Sequence, residues 1–120
     1  METIVVVDDD RVFRELLTTV LRLEGYRAVV RTTPDEVIPT VREEEPALVL
    51  MDFHIHNQDT LGALRALKED EALSGIPVVM TSGMDHAQEC YDAGAEAFVL
   101  KPFRPSEMMD KISELIQARA

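Results

Sequence analysis

A chain of 120 residues, 46% of them hydrophobic, is long enough to bury a core as one domain over residues 1–120. Its formal net charge of −11 leaves no broad basic face for phosphates or anionic lipid, which argues against direct binding of nucleic acid or a membrane by this domain. The one cysteine, Cys90, excludes an internal disulfide, and no basic n-region or long apolar stretch leads the chain, so a reducing, cytoplasmic setting is expected.

Residues 4–7 are a continuous apolar, β-branched run, suited to a strand buried on both faces. After Asp8, Asp9 and Asp10, a helix is marked by Val12, Phe13, Leu16, Leu17, Val20 and Leu21 and ended by Gly25. Residues 26–30 read as a second strand. Thr33, Pro34 and Glu36 then open a second helix through a capping box, and Pro39 should shorten or kink it. The run Glu43-Glu44-Glu45 reads as a solvated helix end.

Residues 47–51 form a third buried strand that leads into Asp52. Leu61, Leu64 and Leu67 mark a third helix with Asp59 as its cap. Residues 77–80 are a fourth strand, residues 85–92 a short fourth helix ended by Gly94, and residues 97–100 a fifth strand. Met108, Ile112, Leu115 and Ile116 mark a last helix reaching nearly to Ala120. Met51 and Met80 read as core, Cys90 as packing for the fourth helix, and His86 as a surface residue of that helix.

Alternating strands and helices imply βαβ units, hence an α/β fold with a doubly wound, five-stranded parallel sheet and five helices. In flavodoxin-like order 2-1-3-4-5, ligands bind beyond the carboxyl ends of the strands, where strands 1 and 3 are neighbours. Asp8, Asp9, Asp52, Ser82 and Lys101 all fall at such ends. Three crowded carboxylates repel, so some should have raised pKa values or need a cation. Mg²⁺ is the natural partner, being a hard ion that takes oxygen ligands and bridges carboxylates to phosphoryl groups. Asp52 is placed to act as a nucleophile and form an aspartyl phosphate. Ser82 would donate to a phosphoryl oxygen, although Thr81 is one residue away and the strand register decides between them. Lys101 would pair with a carboxylate at rest and with phosphate oxygens after transfer. A cis Lys101–Pro102 bond would aim it into the site.

At these residues the chain resembles the receiver domain of two-component response regulators, over essentially its whole length. The motifs are an acidic pair after strand 1, an Asp after strand 3, a Ser/Thr after strand 4 and Lys-Pro after strand 5. The resemblance implies that Asp8 and Asp9 are the metal-binding pair, with Asp52 both phosphoacceptor and metal ligand and the His54 backbone carbonyl a further ligand. It implies Ser82 as the switch hydroxyl, Phe98 as the switch aromatic and Lys101 as the phosphate-contacting lysine. It also implies a phosphoryl donor, either a sensor histidine kinase or a phosphotransfer protein. The phosphorylated domain then signals by a conformational switch to a downstream protein or a fused output domain. The domain would catalyse only its own phosphorylation and dephosphorylation.

Three departures stand out. The family's usual proline and glycine, four and eight residues after the acceptor, are His56 and Thr60 here, with Gly62 displaced. The stretch from Ser82 to Lys101 is shorter than usual by about one helical turn, so the fourth helix should be stunted. Arg104-Pro105 alters the entry to the last helix. The unusual loop after Asp52 supports an alternative, a protein-interaction module of the same fold that is no longer phosphorylated. A phosphatase with an Asp nucleophile is disfavoured because His54 stands where a second Asp is wanted. His54 and His56 alone are too few ligands for a transition-metal site.

Overall fold

In the computed structural model, which describes residues 1–119, five parallel strands form one sheet: β1 (Thr3–Val7), β2 (Arg27–Arg31), β3 (Leu48–Asp52), β4 (Val78–Ser82) and β5 (Ala97–Leu100). Their order is β2-β1-β3-β4-β5, the flavodoxin-like order expected. Side chains along each strand alternate between the two faces, and so two cores form. Val5, Val7, Val49, Met51, Val78 and Met80 face one core, where Cys90 is also buried. Ile4, Val6, Leu48, Leu50 and Val79 face the other.

The helices divide accordingly. Leu17 and Leu21 of α1 (Arg11–Leu23) and Met108 and Ile112 of α5 (Pro105–Arg119) cover the second core. Side chains of α2 (Val37–Glu44), α3 (Leu61–Glu69) and α4 (Ala87–Asp92) cover the first. Strands buried on both faces explain why their sequences are apolar throughout rather than alternating. The last helix ends at Arg119, and Ala120 lies outside the described residues.

Two helix ends follow the expected glycine chemistry. Gly25, at φ 92°, donates to the Arg22 carbonyl while Tyr26 N–H reaches Leu21 O. Gly94, at φ 106°, donates to Tyr91 O while Ala95 N–H reaches Cys90 O. Both are Schellman closures, which need a left-handed residue that glycine supplies without strain.

Several local expectations need correction. Thr33 does not cap a backbone amide; its hydroxyl bonds the Glu36 carboxylate at 2.8 Å, and residues 34–36 form a 3₁₀ turn ahead of α2. Because α2 starts only at Val37, Pro39 lies in its first turn, where its missing N–H has no intrahelical partner to lose, and the helix runs on to Glu44. Thr60, not Asp59, occupies the cap position of α3; Asp59 accepts from Leu61 N–H at 3.1 Å. Strands β3 and β4 run further than expected, so that Asp52 and Ser82 are their last residues. The fourth helix is stunted as anticipated and starts at Ala87 rather than residue 85.

Candidate functional site

The carboxyl ends of β1, β3 and β5 bring three acids and a lysine together. One carboxylate oxygen each from Asp8, Asp9 and Asp52 lies within 4.8 Å of the others. Lys101 Nζ sits 3.2 Å from Asp8 Oδ2 and 3.6 Å from Asp52 Oδ2. The sheet register makes this meeting inevitable. Val7 pairs with Met51, so the residues that follow each, Asp8 and Asp52, emerge side by side. Ser82 pairs with Leu100, and Lys101 N–H donates to Ser82 O at 2.8 Å. The Lys101–Pro102 peptide is cis.

Each acid has a distinct environment. Asp8 is buried; its Oδ1 accepts from Asp10 N–H at 2.8 Å, and its carbonyl accepts from Arg14 at 3.1 Å. Burial raises the Asp8 pKa, opposed by the Asp10 N–H and the Lys101 charge. Asp52, 13% exposed at its side chain, is pushed up to about 6, first by burial and then by the neighbouring Asp8 charge, with Lys101 pulling the other way. Asp9 is exposed, and its Oδ2 accepts from His56 N–H at 3.0 Å. One ammonium thus faces three carboxylates. An all-oxygen donor set with excess negative charge fits a hard divalent cation.

Lys101 has a partner that sequence reading missed. Its ammonium lies 3.9 Å from the centroid of Phe13, which in turn packs edge-on against Phe103 at 5.5 Å. The helical spacing of Phe13 gave only its core-facing role; that its ring face would meet Lys101 depends on how α1 sits on the sheet. A cation over an aromatic face is held electrostatically, and here the ring also confines the ammonium on its apolar side.

The two candidate hydroxyls are both buried. Ser82 Oγ accepts from Met84 N–H at 3.2 Å, whereas Thr81 Oγ1 has no hydrogen-bond partner among the described residues. Thr81 is the residue that pairs with Asp52 across the sheet. Phe98 is half-buried against the first core, and its backbone N–H donates to the Tyr91 hydroxyl at 3.1 Å.

The loop after Asp52 forms a small antiparallel hairpin, His54–Ile55 with Gln58–Asp59. His56 and Asn57 at its tip have φ of 52° and 63°, the two left-handed residues of a type I′ turn. This explains how the loop closes with histidine where the family has proline: proline could not adopt that φ. The conformation also aims His56 N–H at Asp9. Thr60, at the other departure, donates its hydroxyl to the Asp52 carbonyl at 2.8 Å and ties the loop back to the strand end. His86 is not the surface residue expected. Its side chain is only 19% exposed and its ring stacks on Phe53.

Comparisons with known proteins agree with this geometry. Residues 4–113 match the family model of the response regulator receiver domain. The DNA-binding response regulator MtrA of Mycolicibacterium smegmatis is 34% identical over 114 residues, covering 92% of this chain and 49% of that protein. The phosphate regulon transcriptional regulatory protein PhoB of Pseudomonas aeruginosa is 25% identical, covering 97% of this chain and 52% of that protein. The chain spans about half the length of the curated relatives it matches. Among solved structures, a CheY-like receiver domain protein from Methanospirillum hungatei superposes with a TM-score of 0.90 at 24% identity, covering 99% of this chain and 96% of that one. The receiver domain of the sensor histidine kinase PA1611 from Pseudomonas aeruginosa has a TM-score of 0.87 at 22% identity, covering 97% and 98% respectively, and holds magnesium in its active site cleft. At those identities the structural likeness speaks to fold.

Proposed function

Because the chain belongs to the response regulator receiver domains of two-component signalling, we propose that it accepts a phosphoryl group on Asp52, with Mg²⁺ held by Asp8, Asp9, Asp52 and the His54 carbonyl. The donor is the phosphohistidine of a sensor kinase or phosphotransfer protein. The observation that carries this is the meeting of three carboxylates within 4.8 Å with the Lys101 ammonium at their edge. A structural role needs no such excess of like charge.

The chain's own residues divide the work. Ionised Asp52 attacks phosphorus; its Oδ–P bond forms as the donor's N–P bond breaks, and the electron pair leaves with the imidazole, which takes a proton from solvent. With its pKa near 6, Asp52 is mostly ionised at neutral pH, so no separate base is required. Lys101 shifts from carboxylate to phosphoryl oxygen, and Ser82 turns from Met84 N–H to donate to that group. Bound Mg²⁺ supplies charge neutralisation for carboxylates and phosphoryl oxygens alike, the term that dominates phosphoryl transfer. Phe98 and the loop after β4 carry the change outward to a downstream protein or a fused output domain.

The test is direct. Incubation with Mg²⁺ and acetyl phosphate should add one phosphoryl mass to the intact protein. Asp52→Asn should take none. An unlabelled wild type, under conditions that label a typical receiver, would sink this reading in favour of an unphosphorylated interaction module.

A further inference from the structure

The connection from β4 to α4 is short, residues 83–86, and its last residue is turned inward. His86 precedes α4 yet gives no side-chain cap. Its ring lies flat on Phe53, with centroids 3.9 Å apart and planes at 9°. His54 closes the cluster edge-on, 4.7 Å from Phe53 and 5.3 Å from His86. His86 Nδ1 is 2.9 Å from Glu89 Oε1 in the first turn of α4, while its Nε2 is buried without a partner among the described residues. A buried ring nitrogen without a partner is unfavourable, so the stack on Phe53 is what keeps this ring turned inward.

The other half of the stack is fixed at Asp52. Phe53 is the next residue, buried in the first core. Its N–H donates to Thr81 O at 2.7 Å, and its carbonyl accepts from Thr60 N–H at 2.9 Å. Thr60 also bonds the Asp52 carbonyl. The backbone that carries the Phe53 ring is thus tied on both sides, and close packing in the core restrains the ring itself.

We infer that His86 is a positioning residue: its ring stack on Phe53 joins the backbone beside Asp52 to α4, so that displacement of either reaches the other. Its bearing on phosphoryl chemistry rests on the reading of Asp52 as acceptor. The joint itself does not, and a cycle in the unmodified protein tests it.

Amide hydrogen exchange is measured in His86→Leu, Phe53→Leu, the double variant and His86→Phe. Loss of a stacked pair should speed exchange about two- to tenfold, both in residues 87–92 and at the Thr60 and Leu61 amides. The double variant should exceed neither single variant, and His86→Phe, which keeps a ring, should match wild type. Additive singles, or acceleration confined to α4 in His86→Leu, would overturn the joint. A second arm follows phosphoryl lifetime by intact mass after Mg²⁺ and acetyl phosphate. His86→Leu should change it about two- to tenfold and His86→Phe should not, whereas a purely structural histidine would alter stability alone. An unchanged lifetime in His86→Leu overturns the positioning role. A wild type that takes no label overturns the Asp52 reading instead, and the exchange cycle still decides the joint.

Discussion

Two lysines sit at opposite ends of the strands, and their surroundings differ in kind. Lys68, at the amino ends of β4 and β5, donates to Ser74 O at 3.2 Å, Ile76 O at 2.9 Å and Glu96 Oε2 at 2.8 Å. The other Glu96 oxygen accepts from Val78 N–H at 2.7 Å. One cation meets one anion there, and neutral carbonyls fill its remaining donors. At the carboxyl ends, Lys101 meets two carboxylates directly and a third close by, with an aromatic face behind it. A charge serving the fold is balanced in place. At the carboxyl ends the acids outnumber the ammonium, an excess that on the proposed reading an arriving cation would offset.

Removing each lysine separates the two roles. Lys101→Ala should slow phosphoryl acceptance about 100- to 1,000-fold, the usual loss of a preorganised charge at a transition state. Asp8 and Asp52 both lose their cation, so stability should fall as well, and the rate is compared on folded protein. The rate is read from intact mass against time with Mg²⁺ and acetyl phosphate. A rate within a fewfold of wild type would place Lys101 with Lys68, as a structural residue. Lys68→Met should cost stability alone. It takes the cation from Glu96, whose side chain is 35% exposed, and the donor from two carbonyls, and should destabilise by about 1–2 kcal/mol while labelling at the wild-type rate once folded. Urea denaturation measures that loss.

The contrast also explains what the sequence could reveal. Asp8, Asp52 and Lys101 were legible because each follows an apolar run, and a parallel sheet gathers such ends on one edge whatever the loops do. Chain order alone therefore placed them. The Phe13 ring under Lys101, the His56 N–H on Asp9 and the His86 stack on Phe53 were not legible. Each depends on side-chain direction or loop geometry between segments distant in sequence. His86 precedes a helix and looks solvated by position; its contact with Phe53 depends on how the connection after β4 folds. The capping box at Thr33 failed for a local reason of the same kind, because the threonine hydroxyl bonds the Glu36 carboxylate directly.

The acids at the carboxyl ends also respond to pH. The Asp52 pKa is raised from 3.8 to about 6, so between those values the folded protein holds a proton that the unfolded chain releases. Without metal, the Asp52 contribution is fully present below about pH 3.8 and is lost as pH rises through 6. Asp8 is raised as well and acts in the same direction. In EDTA at pH 7, Asp52→Asn should therefore be more stable than wild type by about 1–3 kcal/mol, and should lack much of the wild-type decline between pH 4 and pH 7. Added Mg²⁺ should stabilise wild type far more than the variant. Parallel pH profiles for the two proteins would mean that Asp52 is not strained at rest.

The smallest effect concerns the two hydroxyls at the end of β4, where balance again separates the roles. Ser82 Oγ has a weak partner, Met84 N–H at 3.2 Å, that it can exchange for a phosphoryl oxygen. Ser82→Ala should slow phosphoryl acceptance or shorten the lifetime of the product about tenfold, the value of one hydrogen bond to a charged group. Thr81 Oγ1 is buried with no partner among the described residues, so Thr81→Val removes an unsatisfied hydroxyl at nearly constant volume. It should raise stability by up to ~1 kcal/mol and leave the rate alone. Denaturant midpoints and labelling time courses of both variants resolve the register. If Thr81→Val slows labelling and Ser82→Ala does not, the unpartnered hydroxyl beside Asp52 is the one that meets the phosphoryl group, and Thr81 exchanges roles with its neighbour.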